Sequence, residues 1–177
     1  MIETQRLILR RWRPSDLAAY AAMMDDPEVT YWLGGGQSRA EAEAHLKFLD
    51  QTLDARGFAI LAIVRKADGA FIGSAGLAEV RGDIAFAPAV EVGWRLARHA
   101  WGHGYATEAA RAAIDDGFSR LGLTEIVSFT AASNQRSQAV MERLGLVRDP
   151  TRDFDHPKLA ADHPLRPHVV YAAVRPA

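Results

Sequence analysis

AVEVGWRLARHAWGHGYATEAARAAIDDGF, residues 89–118, contains the change of period on which the fold of this chain turns. Residues 89–96 carry β-branched and aromatic side chains over eight positions and read as a strand. Ala106, Ala109, Ala110, Ala113, Ile114, Gly117, Phe118 and Leu121 then recur at three- and four-residue spacing, which predicts a helix with one buried face, ended by Gly122. Between the two stand Gly102 and Gly104, one residue apart. A strand, a glycine turn and a helix N-terminus together make an anion site, because the first helical amides have no acceptor inside the helix and the helix dipole adds partial positive charge. A phosphate suits such a site.

Two readings of the turn compete. In a dinucleotide fold the pattern GxGxxG also follows a strand and opens a helix. Here the third glycine position is Thr107, and the acid at about the right distance, Glu125, begins the next predicted strand where a ribose ligand should end one. The hairpin-rich region before the turn is also unlike a chain of βαβ units.

Outward from the turn, residues 6–12 alternate as a strand with one better-buried face. Pro14-Ser15-Asp16 opens a helix through about Met24, which Asp25-Asp26-Pro27 breaks, and a loop ending in Gly34-Gly35-Gly36 follows. Ser38 with Glu41 has the form of a capping box, so a second helix runs to about Arg56 with Gly57 as its stop. Residues 58–64 and 71–80 read as a hairpin about Ala67-Asp68-Gly69. Beyond the glycine turn the expected order is strand 125–131, helix 134–144 closed by Gly145, strand 146–152, a proline-rich loop and a terminal strand at 168–174. With no repeat or linker to divide it, the chain is expected to form one mixed α/β domain over residues 1–177.

Composition bounds the function. The chain has 177 residues, 49 % hydrophobic and 24 % charged, enough for one proper core. A net charge of -1 gives no electrostatic reason to expect nucleic acid or an acidic membrane as partner. There is no cysteine, so disulfides, thiolate metal sites and a cysteine nucleophile are excluded. MIETQRLILRRW lacks the apolar core of a signal peptide, and no later run approaches eighteen apolar residues. The expectation is a cytoplasmic protein, monomer or homodimer.

WRLARHAWGHGYATEA, residues 94–109, resembles the coenzyme A pyrophosphate motif of the GNAT superfamily of N-acetyltransferases, Arg/Gln-x-x-Gly-x-Gly/Ala, with Gly102 and Gly104 matching and His99 at the Arg/Gln position. TQRLILR at 4–10, AVEVGW at 89–94, WGHGYATEA at 101–109 and NQRSQAVMERLGL at 134–146 resemble, in order and spacing, its RimJ/RimL-like branch. The resemblance implies a mostly antiparallel central sheet with helices on both faces, whose fourth and fifth strands splay apart to take acetyl-coenzyme A. It implies that the amides of Gly102, His103, Gly104, Tyr105 and Ala106 surround the pyrophosphate, with Thr107 as a hydroxyl donor. Trp94 and Leu96 would pair with the pantetheine arm through their main chain. Asn134 and Ser137 would lie near its amide and sulfur, the alternative for Asn134 being an N-cap, a role compatible with the first.

Acetyl transfer to an amine needs a neutral nucleophile, an oxyanion donor and a route for the thiolate, whose parent pKa of about 8.5 makes it a tolerable leaving group. Glu91 is the candidate base, through water, against the alternative of a structural carboxylate. Ser137 is the candidate acid, since Met141 stands where many members of the family place a tyrosine. The lack of cysteine favours direct transfer in a ternary complex. Asp155 and His156 are reserve bases. His156, His163 and His168 with Asp153, Asp155 and Asp162 are too irregularly spaced for a metal pattern. Of Trp12, Tyr31, Trp32, Phe86 and Trp94, only Trp32, beside the glycine-rich loop, is assigned to the acceptor, a peptide or small-molecule amine. A non-catalytic acyl-coenzyme A sensor on the same fold and an interaction domain without a nucleotide ligand are the alternatives.

Overall fold

Nine strands form one sheet in the computed structural model, which describes residues 1–80, 82 and 84–176. They are β1 (Ile2–Glu3), β2 (Leu7–Arg10), β3 (Ile60–Arg65), β4 (Phe71–Val80), β5 (Ala89–Leu96), β6 (Glu125–Ala131), β7 (Val147–Arg148), β8 (Phe154–Asp155) and β9 (Pro167–Val174). Their order is β1-β2-β3-β4-β5-β6-β9-β7, with β8 also paired to β9. Every pair is antiparallel except β5 with β6. These two parallel strands pair only at Glu91 and Val127 and part beyond that point. The expected splay is therefore present, and the extra strand at Ile2–Glu3 moves its place in the count to β5 and β6.

Alternation along the strands divides the core between two faces. Leu61 and Ile63 pack with Ala109, while Ala62 between them packs with Tyr20 and Leu46. The first face belongs to α4 (Tyr105–Ser119) and α5 (Gln135–Arg143), where Leu77, Val92 and Ile126 meet Ala110, Ile114 and Met141. Gly117 keeps α4 close to the sheet, since a Cβ there would lie 2.8 Å from Ile126 Cδ1. The other face belongs to α1 (Leu17–Asp25) and α3 (Arg39–Arg56). Asp16, 4 % exposed, ties the entry of α1 to β2, because Arg10 donates to both of its oxygens at 2.6 and 2.8 Å.

The expected capping box forms: Ser38 N donates to Glu41 Oε2 at 2.8 Å and Glu41 N to Ser38 Oγ at 3.3 Å. Three expectations need correction. The strand expected over 146–152 stops at Arg148, because Asp149-Pro150 starts a 3₁₀ turn, Pro150–Arg152, with the Asp149 side chain accepting from Thr151 N. Asp26-Pro27, read as a break, also begins a further helix, α2 (Pro27–Thr30), with Asp26 as its N-cap. The proline-rich loop contains β8, too short to leave a pattern in the sequence.

Candidate active site

The glycine turn takes its shape from two left-handed residues, Gly102 at φ 80° and Gly104 at φ 77°. Chain neighbours aside, a Cβ on Gly102 would meet no atom of the described residues within 4 Å, and one on Gly104 only Arg6 Nη2 at 3.6 Å. The space beside both glycines is open. Gly104 is the N-cap of α4 and supplies no side-chain cap. The six amides from Gly102 to Thr107 donate to no acceptor among the described residues, the first bond of the helix being Glu108 N to Gly104 O at 3.1 Å. Uncapped amides at a helix N-terminus, with open space before them, fit a pyrophosphate.

Two residues a hundred positions away hold the turn. Arg6 Nη1 donates to His103 O at 3.0 Å, and its guanidinium lies 4.7 Å from the Tyr105 ring centroid. Glu108, in the first turn of α4, accepts from Thr4 Oγ1 and Arg6 Nε, both at 2.6 Å. Partial burial opposes ionisation of Glu108, but the bonds from Thr4 and Arg6 prevail and hold its carboxyl below the usual range. The TQRLILR stretch thus braces the anion turn.

At the splay, Ser128 Oγ donates to Val92 O at 2.9 Å in place of the next ladder bond. Since Val92 presents its carbonyl to β6, alternation presents the main chain of Trp94 and Leu96 to the opening gap. One of those groups is already used: Trp101 Nε1 donates to Leu96 O at 2.8 Å. The Trp94 amide and carbonyl and the Leu96 amide are what an extended arm would find there.

The far wall of the gap is α5. Asn134, 7 % exposed, caps it by accepting from Ser137 N at 3.2 Å and donates to Thr130 Oγ1 at 3.0 Å, so the N-cap alternative is realised. Ser137 is half-buried and its hydroxyl makes no bond among the described residues. Met141 is buried in the core. Arg111 on α4 donates to Leu144 O and Arg143 O, both at 2.8 Å, and fixes the C-terminus of α5 against the anion-binding helix. Arg136 stacks 4.9 Å above the Trp101 ring and closes the wall over the turn.

Glu91 and Ser137 approach the gap from opposite sides. Val92, Trp94 and Leu96 pack toward α4, so Glu91, Gly93 and Arg95 face the other way. Glu91 has no hydrogen-bond or ion-pair partner among the described residues, and burial between Ala78 and Val127 pushes its carboxyl up to about 7. Beyond it on the same face, Phe86, Phe129 and Phe154 stack edge to face, with His168 5.3 Å and His156 6.3 Å from Phe154. Burial lowers the pKa of both histidines. A Cβ on Gly34 would lie 3.7 Å from Leu159 Cδ2, so the glycine loop and the proline-rich loop meet over this face.

Trp32, beside that loop, is half-buried with Tyr31 edge-on at 4.8 Å. Trp12 is a core residue whose Nε1 donates to Ile60 O. Asp155 is turned to Arg166 Nε at 3.2 Å. Glu125, the acid a dinucleotide reading needs, is held by Arg152 through two bonds of 2.8 Å. Among the described residues no three His, Asp or Glu side chains converge as a metal site.

The acetyltransferase (GNAT) domain family matches residues 6–147, and the chain belongs to that family. An acetyltransferase of Agrobacterium tumefaciens str. C58 is 30 % identical, with a TM-score of 0.77 over 97 % of this chain and 92 % of its own. An uncharacterized N-acetyltransferase of Bacillus licheniformis, p20, is 29 % identical over 154 residues, 82 % of this chain and 84 % of that one. RimL, a ribosomal L7/L12 α-N-protein acetyltransferase solved in complex with coenzyme A, shares the fold at 18 % identity, with a TM-score of 0.75 over 97 % of this chain and 95 % of its own. The chain is therefore a GNAT acetyltransferase, and enzymes of this family use acetyl-coenzyme A.

Proposed function

We propose that the chain, acting as one domain of the RimJ/RimL-like kind, transfers the acetyl group of acetyl-coenzyme A directly to a primary amine in a ternary complex. The observation that carries this reading is the run of unbonded amides at the glycine turn, opening onto a gap between parallel strands. The amides of Gly102, His103, Gly104, Tyr105 and Ala106, with the Thr107 hydroxyl, bind the pyrophosphate. Trp94 and the Leu96 amide align the arm, and Asn134 holds the start of α5 beside it.

The amine enters from the Glu91 face, beneath the loops that carry Trp32 and Leu159. Its nitrogen attacks the thioester carbon while the Trp94 amide donates to the carbonyl oxygen. Glu91 takes the amine proton through water, which a carboxyl with a pKa of about 7 is suited to do near neutral pH. The carbon–sulfur bond then breaks, and Ser137 donates a hydrogen bond to the departing thiolate. Position and electrostatics supply most of the acceleration. The proposed place of action is the cytoplasm, as monomer or homodimer; the chain has no cysteine, and no helix among the described residues is long and apolar enough to cross a membrane.

An acceptor screen with free-thiol detection, beginning with N-terminal peptides and continuing through small amines, tests this reading. Thiol release should depend on the amine. Tight acetyl-coenzyme A binding with no release on any amine would make the chain a sensor and overturn the proposal.

A further inference from the structure

Arg95 is a half-buried cation with no anion beside it among the described residues. It lies four residues beyond Glu91 on β5, so both side chains point to the acceptor face. Its Nη1 reaches only uncharged groups, Tyr20 Oη at 3.4 Å and Met24 Sδ at 3.1 Å. Its Nε is buried with no partner, and Nη2 makes no hydrogen bond among the described residues. Nε and Nη2 form the side-on edge by which a guanidinium grips a carboxylate. Arg120 uses this edge in the same chain, holding Asp116 with Nε at 2.7 Å and Nη2 at 2.6 Å. On Arg95 the edge is free.

The described surroundings supply no counter-charge. No carboxylate forms an ion pair with Arg95 among the described residues, and burial lowers its pKa. His45 is disfavoured as a cation, first by burial and then by Arg95 itself. A buried charge lacking a partner is strongly destabilising unless something else completes the pair. The site lies under the loops over the acceptor face: Tyr20 Oη is 3.3 Å from Gln37 Oε1, and a Cβ on Gly36 would come within 2.8 Å of Met24 O.

Resting on the transferase reading, we propose that Arg95 selects acceptors that carry a carboxylate remote from the reacting amine. At ~3.3 Å per strand residue, the Cα atoms of Glu91 and Arg95 are about 13 Å apart, so the two ends of the acceptor are separated by several bonds. The α-carboxylate of an amino acid is too close to its own amine. Two acceptors have the required chemistry: an ω-amino acid, and a peptide N-terminus followed by an acidic side chain.

The test compares matched pairs by free-thiol release in wild type, Arg95→Lys and Arg95→Gln. One arm is a ladder of ω-amino acids against their primary amides, and the other is a set of N-terminal peptides with Glu or Gln at the second or third position. Wild type should favour the acid in kcat/KM by about 10- to 100-fold, the usual worth of a charged hydrogen-bonded pair. Arg95→Lys should keep part of that ratio, and Arg95→Gln should bring it to about one. A ratio within one enzyme does not depend on how much of it is folded. The arm that shows the preference identifies the source of the carboxylate. A wild-type ratio near one in both arms, or a ratio that survives in Arg95→Gln, overturns the proposal while leaving acetyl transfer intact. If no amine reacts, the transferase reading fails by itself, and calorimetry of N-acetyl-6-aminohexanoate against its amide in the presence of coenzyme A decides for Arg95: Arg95-dependent binding of the acid alone supports the carboxylate site, and anything else overturns it.

Discussion

Glu91→Gln keeps the shape of the side chain and removes its charge, which separates a catalytic base from a structural carboxylate. Glu91 lies between Ala78 and Val127, and burial alone raises its carboxyl from an ordinary 4.5 to about 7. A carboxyl raised in the folded state holds its proton more tightly there than in the unfolded chain. The contribution to stability is then complete below about pH 4.5, declines as pH rises, and is gone above about pH 7. At ~1.36 kcal/mol per pH unit the loss amounts to about 3 kcal/mol. Glutamine has no such dependence. Relative to wild type, the variant should gain up to about 3 kcal/mol between pH 5 and pH 8.5, or roughly 6–12 °C in Tm. Activity should move the other way. Wild-type kcat/KM should climb through about pH 7 as Glu91 ionises, and the variant should lose about 10²- to 10⁴-fold at neutral pH. The deficit should shrink at higher pH, where free amine is abundant. Urea denaturation and initial rates, both taken across this pH range, read the two effects. A variant that loses stability at pH 8.5, together with a rate deficit independent of pH, would refute the assignment and move the base to His156 or bulk water.

Ser137→Ala should lower kcat by less than about tenfold with acetyl-coenzyme A affinity little changed, because a thiolate departs without much help; single-turnover rates check it, and an undetectable change leaves Ser137 only a packing role. Asp16→Ala leaves the half-buried Arg10 without its carboxylate, with only the Arg11 carbonyl still accepting from it, which should cost about 3 kcal/mol in urea denaturation at neutral pH. Burial opposes ionisation of Asp16, but Arg10 and the Arg13 amide prevail and hold its carboxyl below the ordinary value, so the wild-type contribution is present above about pH 4 and lost as pH falls through the folded-state value. The gap between the two proteins should therefore narrow in acid, and a gap that stays constant down to pH 2 contradicts this account.

The elements that position the site were legible because each carries a local physical signal. Residues 89–96 and 125–131 alternate or are β-branched, α4 repeats its small apolar residues, and Ser38 with Glu41 caps α3. What escaped sequence reading depends on contacts distant in the chain. Nothing local says that Thr4 and Arg6 meet Glu108, a pairing made when β1 and β2 come to lie beside α4. Arg95 in a strand reads as a surface residue until α1 is seen to cover it. Leu96 offered two main-chain groups on paper, and only the fold brings Trp101 round to occupy the carbonyl. The two-residue strands β1 and β8 are too short for any period, and α2 hides inside a helix break because Asp26-Pro27 both ends one helix and caps the next.

Calorimetric titration of acetyl-coenzyme A into wild type and Gly104→Val tests the central claim most directly. A side chain at Gly104 would project into the space assigned to phosphate, and its Cβ would meet only Arg6 Nη2, at 3.6 Å, an ordinary contact. The left-handed backbone there adds about 1–2 kcal/mol of strain, which a melting curve measures separately. The account predicts one acetyl-coenzyme A bound per wild-type chain and no detectable binding to a variant that remains folded. Binding to folded Gly104→Val close to the wild-type affinity, or none to wild type, would contradict it.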